Sequence, residues 1–395
     1  MYMSKVTRRF LLVLSIFVFP ALMIISGCES GQLPGGAGDF VQISGSGTVT
    51  VRVIGAVTGG HMEHQLMYGA SGIRFGQYER TGDSTSIGSD TMSVVLPHPD
   101  PEVGGDMLFT GGVIIGGVGC VIDTDGNEIA DNGDWYAFEE NARVDGDTTV
   151  TFGYPGDFQQ ISGSGTITVV LGGSIENTHT GNTLMYGASG IRFGAYERTG
   201  NSVQIGSDSW SSELILPNPD QQGNMIFTGG DVVGGVGCII DVNGNEIADD
   251  GDWYAMQRDV VVACAAEGDL PPTMEITFTY PDDFSQITGS GTISILAENL
   301  DDDHSGASMM FGAAGIPFGA DERVGDGTEV NSNSMLLTLT DSEGADFLFA
   351  GGDTVGGVGC IVDVDGSETA NDGDWYAYQD NVQVNGDTVV TFTYE

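Results

Sequence analysis

Residues 157–166 read DFQQISGSGT, and this stretch decides the architecture because the chain spells it three times. Asp39 opens DFVQISGSGT and Asp283 opens DFSQITGSGT. The blocks that follow keep the same order. LMYGASGIRFG begins at Leu66 and Leu184, and MMFGAAGIPFG at Met309. GGVGC ends at Cys120, Cys238 and Cys360; Trp-Tyr-Ala begins at Trp135, Trp253 and Trp375. A period of this length is domain-sized rather than the 20–50 residues of a solenoid. The 395 residues therefore divide into tandem repeats at 39–154, 155–280 and 281–395. The second is the longest, with an insertion around Ala263 to Pro272.

Within a repeat the hydrophobic period is two. Thr48-Val49-Thr50-Val51-Arg52-Val53, Thr166-Ile167-Thr168-Val169 and Thr148 to Tyr154 all alternate, as half-buried strands do. Asp145-Gly146 and Asn385-Gly386 sit between such runs and suit hairpin turns. The 63 glycines are more than twice the usual ~7% share, with no collagen period. No stretch after the N-terminal leader has a 3.6-residue apolar stripe. The expectation is an all-β chain of three tandem antiparallel β-sandwich domains, immunoglobulin-like or transthyretin-like, with about seven strands each. Short junctions at Pro155-Gly156 and Pro281-Asp282 point to a stiff string of three beads.

The N-terminus is an address. Lys5, Arg8 and Arg9 precede an apolar run from Phe10 to Ile25, the layout of an export signal and short for a spanning helix. Ile25-Ser26-Gly27-Cys28 resembles the lipobox of bacterial lipoproteins. That resemblance implies a signal peptide over 1–27, lipid on Cys28, and a Gly-rich tether over 28–38. Glu29 at the next position favours the outer over the inner membrane of the cell envelope. An ordinary export signal is the alternative.

The formal charge is −45, with 56 acidic and 11 basic residues. A phosphate backbone needs a basic face, so nucleic-acid binding is excluded. Self-repulsion on this scale calls for salt or bound divalent cations. Each repeat concentrates its acid in one loop after GGVGC, at 123–134, 241–252 and 363–374. Alternating carboxylates before a Gly resemble the D-x-D-G core of EF-hand and dockerin loops. Val121 and Asn132 fall on ligand positions of that pattern and strand-like sequence flanks it, so an EF-hand fold is rejected and a Ca²⁺ loop between strands is kept. The candidate ligands are Asp123, Asp125, Asn127, Asp131 and Asp134 in the first loop. The second offers Asp241, Asn243, Asn245, Asp249 and Asp252, and the third Asp363, Asp365, Asn371 and Asp374. A solvated loop rich in Asx turns is the competing reading.

Other signals are weaker. Trp135, Trp253 and Trp375 suit core anchors better than sugar platforms. His61, His179 and His304, one per repeat in a polar loop, make a poor zinc site. Arg74, Arg80, Arg192, Arg198 and Arg323 either pair internally or grip an anion. Cys120, Cys238 and Cys360 occupy equivalent strand positions as buried thiols, with Cys264 a possible partner for Cys238 in an oxidising compartment. No nucleophilic triad or phosphate loop is present. The function expected is a non-enzymatic, lipid-anchored surface protein: a binding or structural stalk, stabilised by Ca²⁺, with an envelope protein or polysaccharide as partner. The alternative is a polysaccharide-active enzyme or carbohydrate-binding accessory subunit.

Overall fold

The computed structural model describes residues 39–73, 78, 80–191, 196, 198–217, 223–263, 273–300, 304–316, 323–341 and 343–395. The signal, Cys28, the tether, Arg74, Arg192 and Cys264, with its proposed bond to Cys238, lie outside these residues. The chain enters through β1 (Val41–Gln42). Unit one continues with β2 (Val49–Gly55), β3 (Gln65–Ser71), β4 (Arg80–Ser86), β5 (Thr91–Val95), β6 (Ile114–Asp123), β7 (Trp135–Arg143) and β8 (Thr148–Tyr154). Unit two supplies β9 (Gln159–Gln160), β10 (Thr166–Gly173), β11 (Thr183–Ser189), β12 (Thr199–Gln204), β13 (Trp210–Glu213), β14 (Val232–Asp241), β15 (Trp253–Val261) and β16 (Thr273–Tyr280). Unit three supplies β17 (Ser285–Gln286), β18 (Ile293–Glu298), β19 (Ser308–Ala314), β20 (Arg323–Glu329), β21 (Ser334–Thr338), β22 (Thr354–Asp363), β23 (Trp375–Gln383) and β24 (Thr388–Thr393). One helical turn follows the first long strand in units one and two, α1 (Thr58–His61) and α2 (Glu176–His179).

Each unit is a sandwich of a three-stranded and a five-stranded sheet, in the orders β5-β2-β8 and β4-β3-β6-β7-β9 for unit one. Alternation works as read: Val49, Val51 and Val53 of β2 point inward, as do Val150 and Phe152 of β8. They meet Leu66, Phe109 and Ile122 in one core. Phe227 with Leu184 and Phe349 with Met309 centre the equivalent cores of units two and three. The five-stranded sheets are antiparallel, whereas the three-stranded sheets are mixed: β2 pairs parallel to β8, β10 to β16 and β18 to β24. A parallel pair needs a long crossover, and the intervening strands of the unit provide it.

The string of beads is corrected. Strand β9 of unit two pairs with β7 of unit one, and β17 of unit three with β15 of unit two. Strand β1 of unit one pairs with β23 of unit three, Val41 opposite Tyr376. Each repeat's Asp-Phe segment thus completes the preceding unit, and the first completes the last. Phe158 packs in the core of unit one, Phe284 in that of unit two, and Phe40 in that of unit three. The three seams match in detail. Asp157 N–H donates to Gly153 O at 2.8 Å, Asp283 N–H to Thr279 O at 2.9 Å, and Asp39 N–H to Thr393 O at 2.9 Å. A head-to-tail interface whose rotation closes gives a ring, and this chain is a ring of three.

Packing of neighbouring strands within a unit explains the glycine strings. Strand β6 is buried on both faces over much of its length, because the Phe138 ring lies on its outer side. A Cβ at Gly117 would overlap that ring, and one at Gly357 would overlap Tyr378. Small seam cores finish the outer faces, such as Val121, Ala130 and Ile161 between units one and two.

Candidate metal centre

The acidic loop joins β6 to β7, and its equivalents join β14 to β15 and β22 to β23. Strand ends position its two outer carboxylates. Asp123 closes β6 and is fully buried. Its Oδ1 accepts from Gly126 N–H at 2.7 Å and its Oδ2 from Glu128 N–H at 3.0 Å. Asp134, just before β7, is also fully buried. It accepts from Thr124 N–H at 2.8 Å, Thr124 Oγ1 at 3.0 Å and Asp131 N–H at 3.1 Å. These bonds fold the loop back on itself. Gly126 at φ 77° and Glu128 at φ 62° make the tight turn; the left-handed region costs Gly least. Exposed Asp125 then leans over the pair. Oxygens of Asp123, Asp125 and Asp134 lie within 4.8 Å of one another.

Asn127 is tied into the loop through its side chain. Its Oδ1 accepts from Ile129 N–H at 2.7 Å, and its Nδ2 bridges Asp125 and Asp131, each at 3.0 Å. Its side chain thus clasps two carboxylates. The third loop repeats the arrangement with Asp363, Asp365 and Asp374 within 4.8 Å. Asn371 donates there to Asp365 and Ser367. In the second loop Asp241 and Asp252 keep their backbone bonds. Asn243 replaces the third carboxylate and donates to Asp249, as does Asn245. Two of the loops thus gather three carboxylates each.

Burial raises the pKa of Asp131, Asp134, Asp252 and Asp374 above the ordinary carboxylate range, and neighbouring carboxylates add to it. Hydrogen bonds from the loop oppose the rise without cancelling it. A bound cation would oppose the rise by stabilising the charged carboxylates. Ca²⁺ takes oxygen ligands at 2.3–2.6 Å, so opposed ligands stand ~5 Å apart. Three oxygens inside 4.8 Å fit around one such ion, with solvent completing the shell.

The remaining sequence candidates fall elsewhere. Trp135 packs against the core of unit one, edge-on to His61 and Tyr154. The histidines are buried rather than in a polar loop. His61 Nε2 meets Tyr154 Oη at 2.8 Å, and His179 Nε2 meets Tyr280 Oη at 2.9 Å; His304 stacks edge-on to Tyr394. Arg80 donates to Ile191 O of unit two, Arg198 to Ile316 O of unit three, and Arg323 to Ile73 O of unit one. The arginines are therefore seam residues, a role that no pattern within one repeat discloses. Cys120, Cys238 and Cys360 are free buried thiols, the last pushed up to about 12 by burial. A groove of about 420 Å³ crosses the outer sheet face of unit one, with Gly69, Gly82, Gly117, Gly119 and Phe138 in its wall. Among the described residues no helix is long and apolar enough to cross a membrane.

No protein-family model matches this chain, and no curated protein does. Solved structures give distant likenesses. The TIE protein of Bacillus anthracis is 8% identical at a TM-score of 0.16, over 89% of this chain and 51% of that one. This chain spans about half the length of that protein. A Bacteroides ovatus protein described as an adhesin is 8% identical at a TM-score of 0.20, over 60% of this chain and 90% of its own. A streptococcal ancillary pilin is 9% identical at a TM-score of 0.15, over 89% and 99%. At such scores these likenesses carry no argument about function.

Proposed function

We propose that this protein is a non-enzymatic surface component of the cell envelope, a rigid ring for binding or display. It is held by lipid on Cys28 and locked by Ca²⁺ in its acidic turns. The carrying observation is the carboxylate trio, Asp123, Asp125 and Asp134, repeated at Asp363, Asp365 and Asp374. The turns abut the seams. Asp372 accepts from Ser46 N–H at 2.7 Å, Asp250 from Ser290 N–H at 2.7 Å, and Asn132 from Ser164 N–H at 2.9 Å. An ion that stiffens a turn therefore stiffens a joint. Repetition of the same strands and turns in all three units supports a scaffold over an enzyme, whose site would break the symmetry.

Thermal melting with Ca²⁺, with EDTA, and across an NaCl series tests the metal reading. A rise specific to Ca²⁺ supports it; an equal rise at matched ionic strength reduces the turns to general screening. Membrane fractionation of cells making wild type and Cys28→Ala tests the anchor. The carbohydrate alternative has one foothold, the groove under Phe138, and oligosaccharide titration of Phe138→Ala against wild type tests it.

A further inference from the structure

Unit one carries a histidine pair that the other units lack. His61 ends α1 and is buried. His64 follows three residues later and is half-buried, and its Nδ1 stands 3.3 Å from Nδ1 of His61. Both are fixed by backbone. His64 N–H donates to His61 O at 3.1 Å, Glu63 N–H to Ile87 O at 3.0 Å, and Ile87 N–H to His64 O at 2.9 Å. The other units build the same turn without a second imidazole. Asn182 N–H donates to His179 O at 3.0 Å, and Ala307 N–H to His304 O at 3.0 Å. Asn182 and Ala307 thus mark the place of His64.

The spacing has a chemical meaning. Zinc binds imidazole nitrogen at about 2.0–2.1 Å in tetrahedral geometry, which puts two ligand nitrogens ~3.3–3.4 Å apart. A square-planar ion would put adjacent nitrogens at ~2.9 Å. The observed 3.3 Å fits the tetrahedral edge. The outer nitrogen of His61 already meets Tyr154 Oη. Such an outer bond fixes the ring and leaves Nδ1 as the ligand atom. Half-exposed His64 leaves an entry path, and solvent would fill the other positions.

We infer that His61 and His64 form a two-nitrogen site for a divalent ion of zinc type, one per chain and separate from the acidic turns. The competing account is a ring-to-ring hydrogen bond. The test is Zn²⁺ titration of the protein with Ca²⁺ in large excess, read by competition with a chromophoric chelator. His64→Asn and His64→Ala are the variants, because sister units already hold those residues on this backbone. Wild type should bind one Zn²⁺, both variants should lose at least tenfold in affinity, and Co²⁺ should give wild type alone a tetrahedral absorption band. Absence of Zn²⁺ binding by wild type, or equal affinity and stoichiometry in the variants, overturns the site.

Discussion

Asp123 and Asp125 sit two residues apart on one turn and answer to different forces. Asp123 is buried and satisfies the N–H groups of Gly126 and Glu128. Removing it orphans both, at ~1–3 kcal/mol each. Asp123→Ala should therefore cost roughly 2–6 kcal/mol in urea unfolding in EDTA, and more in Ca²⁺, where a ligand of the stabilising ion is lost as well. Asp125 is exposed, and unit two tolerates Asn243 in its place. Asp125→Asn should leave stability in EDTA within about 0.5 kcal/mol, as surface changes do, while shrinking the Ca²⁺-induced rise in Tm. His179 gives a pH test. Burial lowers its pKa below 6.5, so the unfolded chain binds the proton more readily than the folded one. Its contribution is full above pH 6.5 and is lost as pH falls from there through the folded value. His179→Gln should flatten that acid slope in melts between about pH 7 and 5. Asp134 has the opposite sign. Its raised pKa means stability present near pH 4 and lost as pH rises through the folded value, a loss that bound Ca²⁺ should abolish.

At the scale of elements, the two-residue strand β1 has consequences far beyond its length. Phe40 is 6% exposed in the core of unit three, and its ring lies edge-on to Phe392 and Tyr394. Phe40→Ala should cost ~3–5 kcal/mol as a large-to-small core change. The damage should appear in unit three: hydrogen exchange should accelerate in β23 and β24 while β2 and β3 of unit one stay protected. The strands themselves were legible in the sequence, because alternation such as Val49-Val51-Val53 is local and one face is buried. The acidic loops were legible as turns, since Asp followed by Gly writes its own backbone bonds. What local reading missed was ownership. Asp157 and Asp283 follow Tyr154 and Tyr280 at one fixed spacing, so the Asp-Phe segment could be taken as the start of the next domain. Its Phe belongs to the domain before. The same blindness put His61 in a polar loop, because its burial comes from Tyr154 and Trp135, distant in sequence. His64 escaped notice for lack of a counterpart in the other repeats.

For the whole molecule, closure makes the order of the units arbitrary. Two seams are continuous chain and the third is noncovalent, yet all three share their bonds: Thr393 N–H donates to Asp39 Oδ2 at 2.8 Å, Thr279 N–H to Asp283 Oδ2 at 2.7 Å, and Gly153 N–H to Asp157 Oδ2 at 2.6 Å. Tyr154 and Asp157 are separated by two residues, as are Tyr280 and Asp283. Joining Glu395 to Gly38 would place two residues between Tyr394 and Asp39 as well. A permuted chain that carries this junction and begins at Asp283 should therefore fold to the same ring. Its closing seam would then be the β17–β15 contact, left noncovalent. The radius of gyration of both proteins should lie near the ~21 Å of a compact body of roughly 360 residues, well below that of three sandwiches in line. The covalent third seam also replaces the original one, so Phe40→Ala should still cost stability while deletion of 283–290 from the permuted chain opens the ring at its new joint. An extended scattering profile for the original chain, or failure of the permuted one to melt cooperatively, would mean that β1 does not hold unit three in solution.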